Sequence, residues 1–289
     1  MSCEILYGKP VSDKIRFELS NKINELSKKG IIPKLSVVLI GKDPASRIYV
    51  NSKHKTFLSM GCKSDIHNLN KEVSESEVIQ LIKYLNNDKS VHGILVQLPA
   101  PSQINEKNII NFINPSKDVD GLHPMNLGKL LQGNPSFIPC TPYACLKILE
   151  YYKIDTNSKN IVIIGRSNLV GKPLFALLSQ KYKLGNATVT LCHSHTENLE
   201  YFTKNADIVI AAVGVSKLIK EDMIKNDSIL IDVGINRIND NSEKGYHIVG
   251  DVDFDGVQKK AASVTPVPGG VGVMTVTMLL YNTINSINK

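Results

Sequence analysis

Ser46, Tyr49 and Lys53 are the first residues whose types and spacing could do chemistry. Steps of three and four residues place these side chains on one face of a helix. Tyrosine and lysine four residues apart can share a hydrogen bond, and burial can lower the pKa of a lysine from about 10.4 towards that of a general base. The alternative is an amphipathic helix with an ordinary lysine. Short-chain dehydrogenases also use a Tyr-x-x-x-Lys pair, but their glycine-rich cofactor turn precedes it. Here the candidate turn follows at Gly165, so that class is excluded.

Three further segments could line a ligand site. Gln97 ends an apolar run, where its side chain would point into a cleft above a sheet. Asp118 and Asp120 flank a valine and precede a glycine, which is typical of a turn and less often of a metal site. Residues 265–275 are too rich in Pro and Gly for a helix or a strand, which predicts backbone lying against a ligand.

A phosphate-binding turn is the clearest local signal. The apolar run 160–164 leads into Gly165-Arg-Ser-Asn-Leu-Val-Gly171 and then into a predicted helix. Such a strand, turn and helix present free N–H groups and a positive helix end to a phosphate. The spacing differs from the G-x-G-x-x-G fingerprint, so a turn that merely needs glycine is the alternative.

The residues after the next predicted strand favour NADP over NAD. NAD sites place Asp or Glu there to hold the ribose 2′-hydroxyl. This chain has Ser194 and His195 instead, and Arg166 can pair with a phosphate through its planar fork. The segments 213–214 and 232–236 end further strands at the same edge of the sheet, where such ligands bind.

The elements that must position these groups alternate between helix and strand. Helices are predicted over 11–29, 44–60, 74–85, 142–152, 171–182, 196–204 and 221–225. Strands are predicted over 35–40, 66–69, 93–98, 160–164, 187–193, 207–213 and 228–233. Asp43 is expected to cap the second helix, and Ser74 with Glu77 has the spacing of a capping box. Residues 114–142 are predicted to be irregular, and residues 264–288 to open with a turn and end as an apolar helix. This alternation predicts an α/β fold with mainly parallel sheets.

Composition sets the outer limits. A length of 289 residues suits about two domains, and 42% hydrophobic with 21% charged residues is typical of a folded soluble protein. The net charge of +7 suits a phosphate ligand or a lysine-rich surface, and no stripe of basic and aromatic residues predicts nucleic-acid binding. No signal peptide is found in the first residues, which predicts a cytoplasmic protein. The histidines and the five cysteines show neither H-E-x-x-H nor C-x-x-C spacing, so neither a metal nor a disulfide framework is expected.

Taken in order, these segments resemble the bifunctional methylenetetrahydrofolate dehydrogenase/methenyltetrahydrofolate cyclohydrolase family. The matching runs span nearly the whole chain: YVNSK (49–53), GILVQLP (93–99), KDVDGLHP (117–124), PCTP (139–142), GRSNLVGKP (165–173), DVGIN (232–236), VGDVD (249–253) and TPVPGGVG (265–272). The resemblance implies two α/β domains with a cleft between them. Residues 1–140, completed by 269–289, would form the folate-binding catalytic domain, and residues 141–268 a Rossmann-like, parallel-sheet NADP-binding domain.

By motif position, the resemblance also implies the roles of individual residues. Lys53 would be the catalytic lysine, with Gln97 as its partner. Tyr49 would stack on the pterin, and Asp120 would anchor it. Further folate contacts are implied at Val96, Leu98, Pro268, Gly269 and Gly270. NADP contacts are implied at Gly165, Arg166, Ser167, Ser194 and Ile235.

The implied activity is the NADP-dependent oxidation of 5,10-methylenetetrahydrofolate, followed by hydrolysis to 10-formyltetrahydrofolate, in one-carbon metabolism and purine biosynthesis. The implied partners are tetrahydrofolate derivatives and a second copy of the chain, with neither nucleic acid nor membrane. Two positions depart from the family pattern. Val273 replaces a proline, which restores a backbone N–H and is expected to loosen the turn. His195 replaces a frequent lysine, which would weaken the grip on the 2′-phosphate.

Two other classes remain open on the residues alone. One is a basic nucleic-acid binder on the same scaffold, whose binding would fall steeply with salt. The other is a dehydrogenase without hydrolase activity, or a related α/β oxidoreductase that acts on another small substrate.

Overall fold

The computed structural model describes residues 3–241 and 245–287. It divides into two compact units, called here the six-stranded unit (1–13 and 141–275) and the three-stranded unit (14–140 and 276–289). These bounds differ from the expected domain limits at both ends of the chain. The first residues belong with the six-stranded unit because a short strand, Glu4–Ile5, pairs with Ser263–Val264 there.

The strands in chain order are β1 (Glu4–Ile5), β2 (Lys34–Ile40), β3 (Lys63–Leu69), β4 (Gly93–Val96), β5 (Asn160–Ile164), β6 (Thr188–Cys192), β7 (Ile208–Ala211), β8 (Ile229–Asp232), β9 (Asn236–Asn239), β10 (Tyr246–Val249) and β11 (Ser263–Val264). The helices are α1 (Gly8–Lys28), α2 (Pro44–Ser59), α3 (Glu75–Asn87), α4 (Glu106–Asn111), α5 (Pro124–Leu131), α6 (Cys140–Tyr151), α7 (Gly171–Ser179), α8 (Leu199–Thr203), α9 (Phe254–Val257) and α10 (Val271–Ser286). A 3-10 turn spans Glu221–Met223.

The larger sheet has the order β1-β11-β8-β7-β5-β6, and all its pairs are parallel. Its central strands β5, β7 and β8 are almost wholly buried apolar runs, as expected for strands covered on both faces. From β5 the chain moves outward to β6 and then returns to β7 on the other side. The carboxyl ends of β5 and β7 are therefore a topological switch point, the place where open α/β sheets bind ligands.

The smaller sheet has the order β3-β2-β4, also parallel. Both predicted helix caps on this unit are confirmed. Asp43 accepts a hydrogen bond from the N–H of Ser46 at the start of α2, and Ser74 with Glu77 forms the reciprocal capping box of α3. The Asp43 cap fixes where α2 begins and therefore which of its side chains face the sheet. The expected α/β class with parallel sheets is confirmed in both units.

The prediction that residues 114–142 are irregular was wrong, because α5 lies inside this range. Pro124 occupies the first turn of that helix, where its missing N–H costs nothing, and the His123 ring accepts the N–H of Met125 as a cap. The predicted helix over 221–225 is only the 3-10 turn, and the antiparallel hairpin of β9 and β10 was not predicted. Among the described residues, no helix is both long enough and apolar enough to span a bilayer.

Candidate active site

Lys53 and Gln97 meet at the carboxyl end of β4. The Lys53 Nζ donates a hydrogen bond to the Gln97 Oε1 over 2.8 Å. The Gln97 amide is oriented by its own neighbour, because its Nε2 donates to the carbonyl of Leu98 over 2.7 Å. The Gln97 N–H in turn donates to Val38 O, which ties the residue to the central strand β2. The lysine therefore faces an oxygen that can only accept.

Burial lowers the pKa of Lys53. The negative charge of Asp120 and the nearby Cys140 act in the opposite direction, without cancelling the effect of burial. A lysine with a lowered pKa holds a larger fraction of neutral amine at physiological pH, which is the form that can accept a proton.

The loop that carries Asp120 is fixed at its start by Lys117. The Lys117 Nζ donates to three carbonyls at the end of α3, those of Leu85, Asn86 and Asp88, at 2.7–3.0 Å. The Lys117 carbonyl also accepts the N–H of Ile94 from β4. The loop is thus joined to both a helix end and a strand.

Asp118 and Asp120 have different environments. Asp118 is buried and accepts the backbone N–H groups of Leu122 and His123 together with the side-chain amide of Asn126. Its burial raises its pKa. Asp118 therefore stabilises the loop, whereas Asp120 is half-buried near Lys53 and its side chain bonds Cys140. In the described part of the chain, no group of His, Cys, Asp and Glu side chains could hold a metal ion.

The remaining predicted folate residues of the three-stranded unit differ in exposure. Tyr49 is 44% exposed, whereas Ser46 on the same helix is buried. The hydrogen bond that the spacing allowed between Tyr49 and Lys53 is absent from the bonds of the described residues, since the amine points to Gln97. Val96 is buried at the end of β4, and Leu98 is half-buried.

Pro268, Gly269 and Gly270 lie in the turn before α10, in the six-stranded unit. The Gly269 carbonyl accepts the N–H of Gly8 over 2.8 Å, which fixes the turn to the start of α1. The N–H that Val273 restores in place of the family's proline donates to the Gly270 carbonyl over 3.3 Å.

A cavity of about 520 Å³ lies at the carboxyl ends of β5, β6 and β7. Its wall consists of Ile164, Gly165, Arg166, Ser167, His193, Ser194, Thr196, Leu199, Ala212, Val213, Val215 and Leu218. Gly165 has a φ of +119°, and a Cβ there would lie 2.2 Å from the Ala212 carbonyl oxygen. A Cβ at Gly171 would lie 1.8 Å from the Gly165 carbonyl oxygen. Both glycines are therefore required for the β5–α7 turn to bring its backbone this close to its neighbours.

The residues of this cavity fit a dinucleotide that carries a 2′-phosphate. Arg166 and Ser194 are exposed, and Arg166 has no hydrogen-bond or ion-pair partner among the residues described. The lining contains no carboxylate, so nothing in it would repel a phosphate. The backbone N–H of His195 donates to the His193 Nδ1 over 3.2 Å, and the His195 side chain is exposed. Ile235, the other predicted contact, is 48% exposed just beyond β8.

Sequence reasoning missed the carboxylate pair that joins the strand ends of this unit. The buried Asp232 accepts the N–H groups of Gly234, Asp251 and Val252 at 2.8–2.9 Å. Asp251 accepts those of Val213 and Gly214 at 2.7 and 3.0 Å. Burial raises the pKa of Asp232 to about 6. The signal in the sequence was that each Asp lies close to a glycine: Asp232 comes two residues before Gly234, and Asp251 directly follows Gly250. In the structure the Asp251 carboxylate packs against Gly234 and the Asp232 carboxylate against Gly250, where a side chain would leave no room for them.

Comparisons with known proteins agree with this geometry. Residues 6–120 match the model of the tetrahydrofolate dehydrogenase/cyclohydrolase catalytic domain, and residues 139–289 match that of its NAD(P)-binding domain. The bifunctional protein FolD of Chlorobium chlorochromatii is 48% identical, with 99% of this chain and 98% of that protein covered.

Two solved structures have the same fold over almost the full length. The bifunctional methylenetetrahydrofolate dehydrogenase/cyclohydrolase FolD of Campylobacter jejuni is 48% identical with a TM-score of 0.94, and 99% of each chain is covered. The dehydrogenase-cyclohydrolase of Trypanosoma brucei, solved with NADP cofactor and inhibitor, is 34% identical with a TM-score of 0.94, over 100% of this chain and 98% of that one. The chain therefore belongs to the tetrahydrofolate dehydrogenase/cyclohydrolase family.

Proposed function

We propose that this protein oxidises 5,10-methylenetetrahydrofolate with NADP and hydrolyses the methenyl product to 10-formyltetrahydrofolate. The observation that carries the proposal is the bond between Lys53 and Gln97 beside Asp120, with the pKa of the lysine lowered by burial. The cavity at the carboxyl ends of β5, β6 and β7 supports the proposal, because it would accommodate the cofactor. Membership of the family links these two features to one reaction sequence.

The oxidation is favoured when Lys53 is uncharged. Loss of a hydride from the methylene bridge leaves an amidinium-like cation, and no proton is removed in this step. An ammonium close to the bridge would repel the developing positive charge, so the neutral amine favours the oxidation. Bound NADP supplies the hydride acceptor.

In the hydrolysis, Lys53 acts as a general base. Water adds to the bridging carbon and gives one proton to the neutral amine. The bond from that carbon to N5 then breaks, and the proton passes from Lys53 to N5. The second water proton is released, which leaves the neutral 10-formyl product. Gln97 keeps the amine in place by accepting one of its hydrogens, so the lone pair stays available for the water.

The other predicted residues would hold the two ligands. Asp120 would accept hydrogen bonds from the pterin amino and ring N–H groups, as a charge-assisted pair. Tyr49, being exposed, would offer its ring face to the pterin. The remaining proposed folate contacts are Val96, Leu98, Pro268, Gly269 and Gly270.

NADP would be held at the β5–α7 turn. Arg166 and Ser194 would bind the 2′-phosphate, because the guanidinium has no partner among the described residues and the cavity wall has no acid. The backbone at Gly165 and Ser167 would face the cofactor phosphates, and Ile235 would contact the cofactor from the end of β8.

We also propose a homodimer that works in the cytoplasm. Family resemblance supports this assembly, and light scattering after size-exclusion chromatography tests it.

One assay tests the function. Purified protein is supplied with methylenetetrahydrofolate and NADP or NAD, and NADPH formation is followed beside the rise and decay of the methenyl product. Both signals, with faster turnover on NADP, are expected. NADPH formation with a stable methenyl product would instead identify a dehydrogenase without hydrolase activity. Absence of both signals would refute the proposal.

A further inference from the structure

Asn282 is a buried polar residue on α10 that no motif in the sequence singled out. Its side chain is 3% exposed. Its Nδ2 donates to two backbone carbonyls, that of Val119 over 2.8 Å and that of Ile138 over 2.9 Å. An amide nitrogen carries two hydrogens, so this side chain commits its whole donor capacity to two loops that are distant in sequence.

Both loops converge on Asp120. The Val119 carbonyl belongs to the peptide bond that leads into Asp120. The Ile138 carbonyl lies just before Cys140, whose thiol donates to the Val119 carbonyl at 3.7 Å and bonds the Asp120 side chain. The two bonds of Asn282 therefore join the backbone directly before Asp120 to the segment that carries Cys140, the partner of the Asp120 side chain.

The packing leaves these loops little freedom to shift independently. A Cβ at Gly121 would lie 2.9 Å from the backbone nitrogen of Pro139, so the two loop backbones are already in contact. On the other side, a Cβ at Gly93 would lie 2.8 Å from the Val119 side chain and 3.1 Å from the Thr283 hydroxyl of α10. The strand β4, the Asp120 loop and α10 are thus packed together, and Asn282 supplies the hydrogen bonds at this junction.

We propose that Asn282 is a positioning residue for the folate site. It fixes where the Asp120 carboxylate stands and, through the charge of Asp120, the environment of Lys53. An apolar residue of similar size would take the Asn282 donor from both carbonyls and leave the Val119 carbonyl with only the weaker Cys140 thiol, and the loops would relax to find new partners. The inference rests on the proposed function, because the role given to Asp120 is to anchor the pterin.

The test compares Asn282→Leu with two control variants on the same helix. Asn285→Leu changes a half-buried asparagine that accepts a hydrogen bond from Lys22. Leu279→Ala removes a buried apolar side chain, which lowers stability but removes no side-chain hydrogen bond to the Asp120 loop. For each protein, KM and kcat of both reactions, the NADP Kd and the melting temperature are measured.

Asn282→Leu should raise the KM for the folate substrate about tenfold or more in both reactions, which corresponds to one misplaced charge-assisted pair. The NADP Kd should stay within about twofold. Both controls should keep the wild-type KM, and Leu279→Ala should melt at a lower temperature. If Leu279→Ala raises KM as much as Asn282→Leu does, the role of Asn282 is only structural and the inference is overturned.

A second variant covers the case in which the leucine protein does not fold. Asn282→Ser keeps one short donor, so its KM should lie between the wild-type value and the rise of about tenfold expected when both hydrogen bonds are lost. An unchanged KM overturns the inference. Failure of the proposed function has a different signature, because wild-type protein would then turn over no methylenetetrahydrofolate at all.

Discussion

The Lys53 Nζ donates to the Gln97 Oε1 over 2.8 Å, and the Gln97 Nε2 is already committed to the carbonyl of Leu98. If the amide were reversed, its N–H₂ group would face the amine and compete for the lysine lone pair. The observed orientation lets Lys53 donate in both its charged and its neutral state. A base that must stay in place through a proton transfer needs such a partner.

Lys53→Gln should separate the two reactions. The variant keeps length and a hydrogen-bond donor but has no usable base. General base catalysis is worth about a hundred- to ten-thousandfold, so hydrolysis of supplied methenyltetrahydrofolate should fall at least about a hundredfold. NADPH formation should keep a substantial fraction of its rate, because no proton leaves in that step. Both rates are measured on one preparation. A parallel fall would mean that Lys53 mainly positions the substrate.

The pH profile of the hydrolysis should report the state of Lys53. Burial lowers the pKa of this lysine, and in the proposed mechanism its neutral form is the base. The rate should therefore rise with pH as the amine loses its proton and level off at a pH below the ordinary lysine value. The acid limb should be missing from the residual activity of Lys53→Gln. A profile that is flat in the wild type, or one that falls with rising pH, would contradict this role.

Asp120→Ala should weaken folate binding in both reactions. Removal of a charge-assisted pair costs about 1.5–3 kcal/mol, which corresponds to a rise in KM of about ten- to a hundredfold. The loss of the carboxylate should also move the acid limb of the hydrolysis to lower pH, because the charge of Asp120 raises the pKa of Lys53. A melting curve shows whether the variant is folded. Normal folate affinity in a folded variant would dismiss the anchor role.

How much of this site follows from the sequence depends on the distance between the residues that make contact. The start of α2 could be predicted because Asp43 and the N–H it accepts are three residues apart. The same holds for the capping box of α3. The face shared by Tyr49 and Lys53 follows from helix geometry, but the partner of Lys53 lies 44 residues away and follows from parallel pairing of β2 and β4. The resemblance, not the spacing, identified Gln97 as that partner.

Contacts of longer range had no local signal. Asn282 and Val119 are 163 residues apart, and an asparagine inside an apolar helix pattern gives no indication of which carbonyls it will meet. The helix α5 was missed for another reason. The Pro and Gly content of the surrounding range outweighed a short apolar stretch whose cap is a histidine, a residue that is not among the preferred N-caps.

Arg166→Ala should discriminate between the two cofactors. If the guanidinium pairs with the 2′-phosphate, its loss should weaken NADP binding by up to about 3 kcal/mol and leave NAD binding nearly unchanged. Fluorescence titration of the reduced cofactors measures both affinities without turnover. Lys172→Ala removes a neighbouring positive charge that is bonded to Asn168 and serves as the control. Equal losses for NADP and NAD in Arg166→Ala would refute the assignment.

Asp232 should make stability depend on pH in the direction set by its raised pKa. Burial raises this pKa from 3.8 to about 6, so the folded protein binds the proton more tightly than the unfolded chain does. The resulting stabilisation is fully present below about pH 3.8 and is lost as the pH rises through about 6. A shift of about two pH units corresponds to at most about 3 kcal/mol. The free energy of unfolding of wild type minus that of Asp232→Asn should therefore fall by up to this amount between pH 4 and pH 7. The constant cost of the altered hydrogen bonds cancels in this pH dependence.

Asp255→Asn, at an exposed carboxylate on α9, should show a smaller change. Urea titrations of the three proteins at each pH make the measurement, and a wild-type minus Asp232→Asn difference that does not vary with pH would show that Asp232 titrates like an exposed carboxylate.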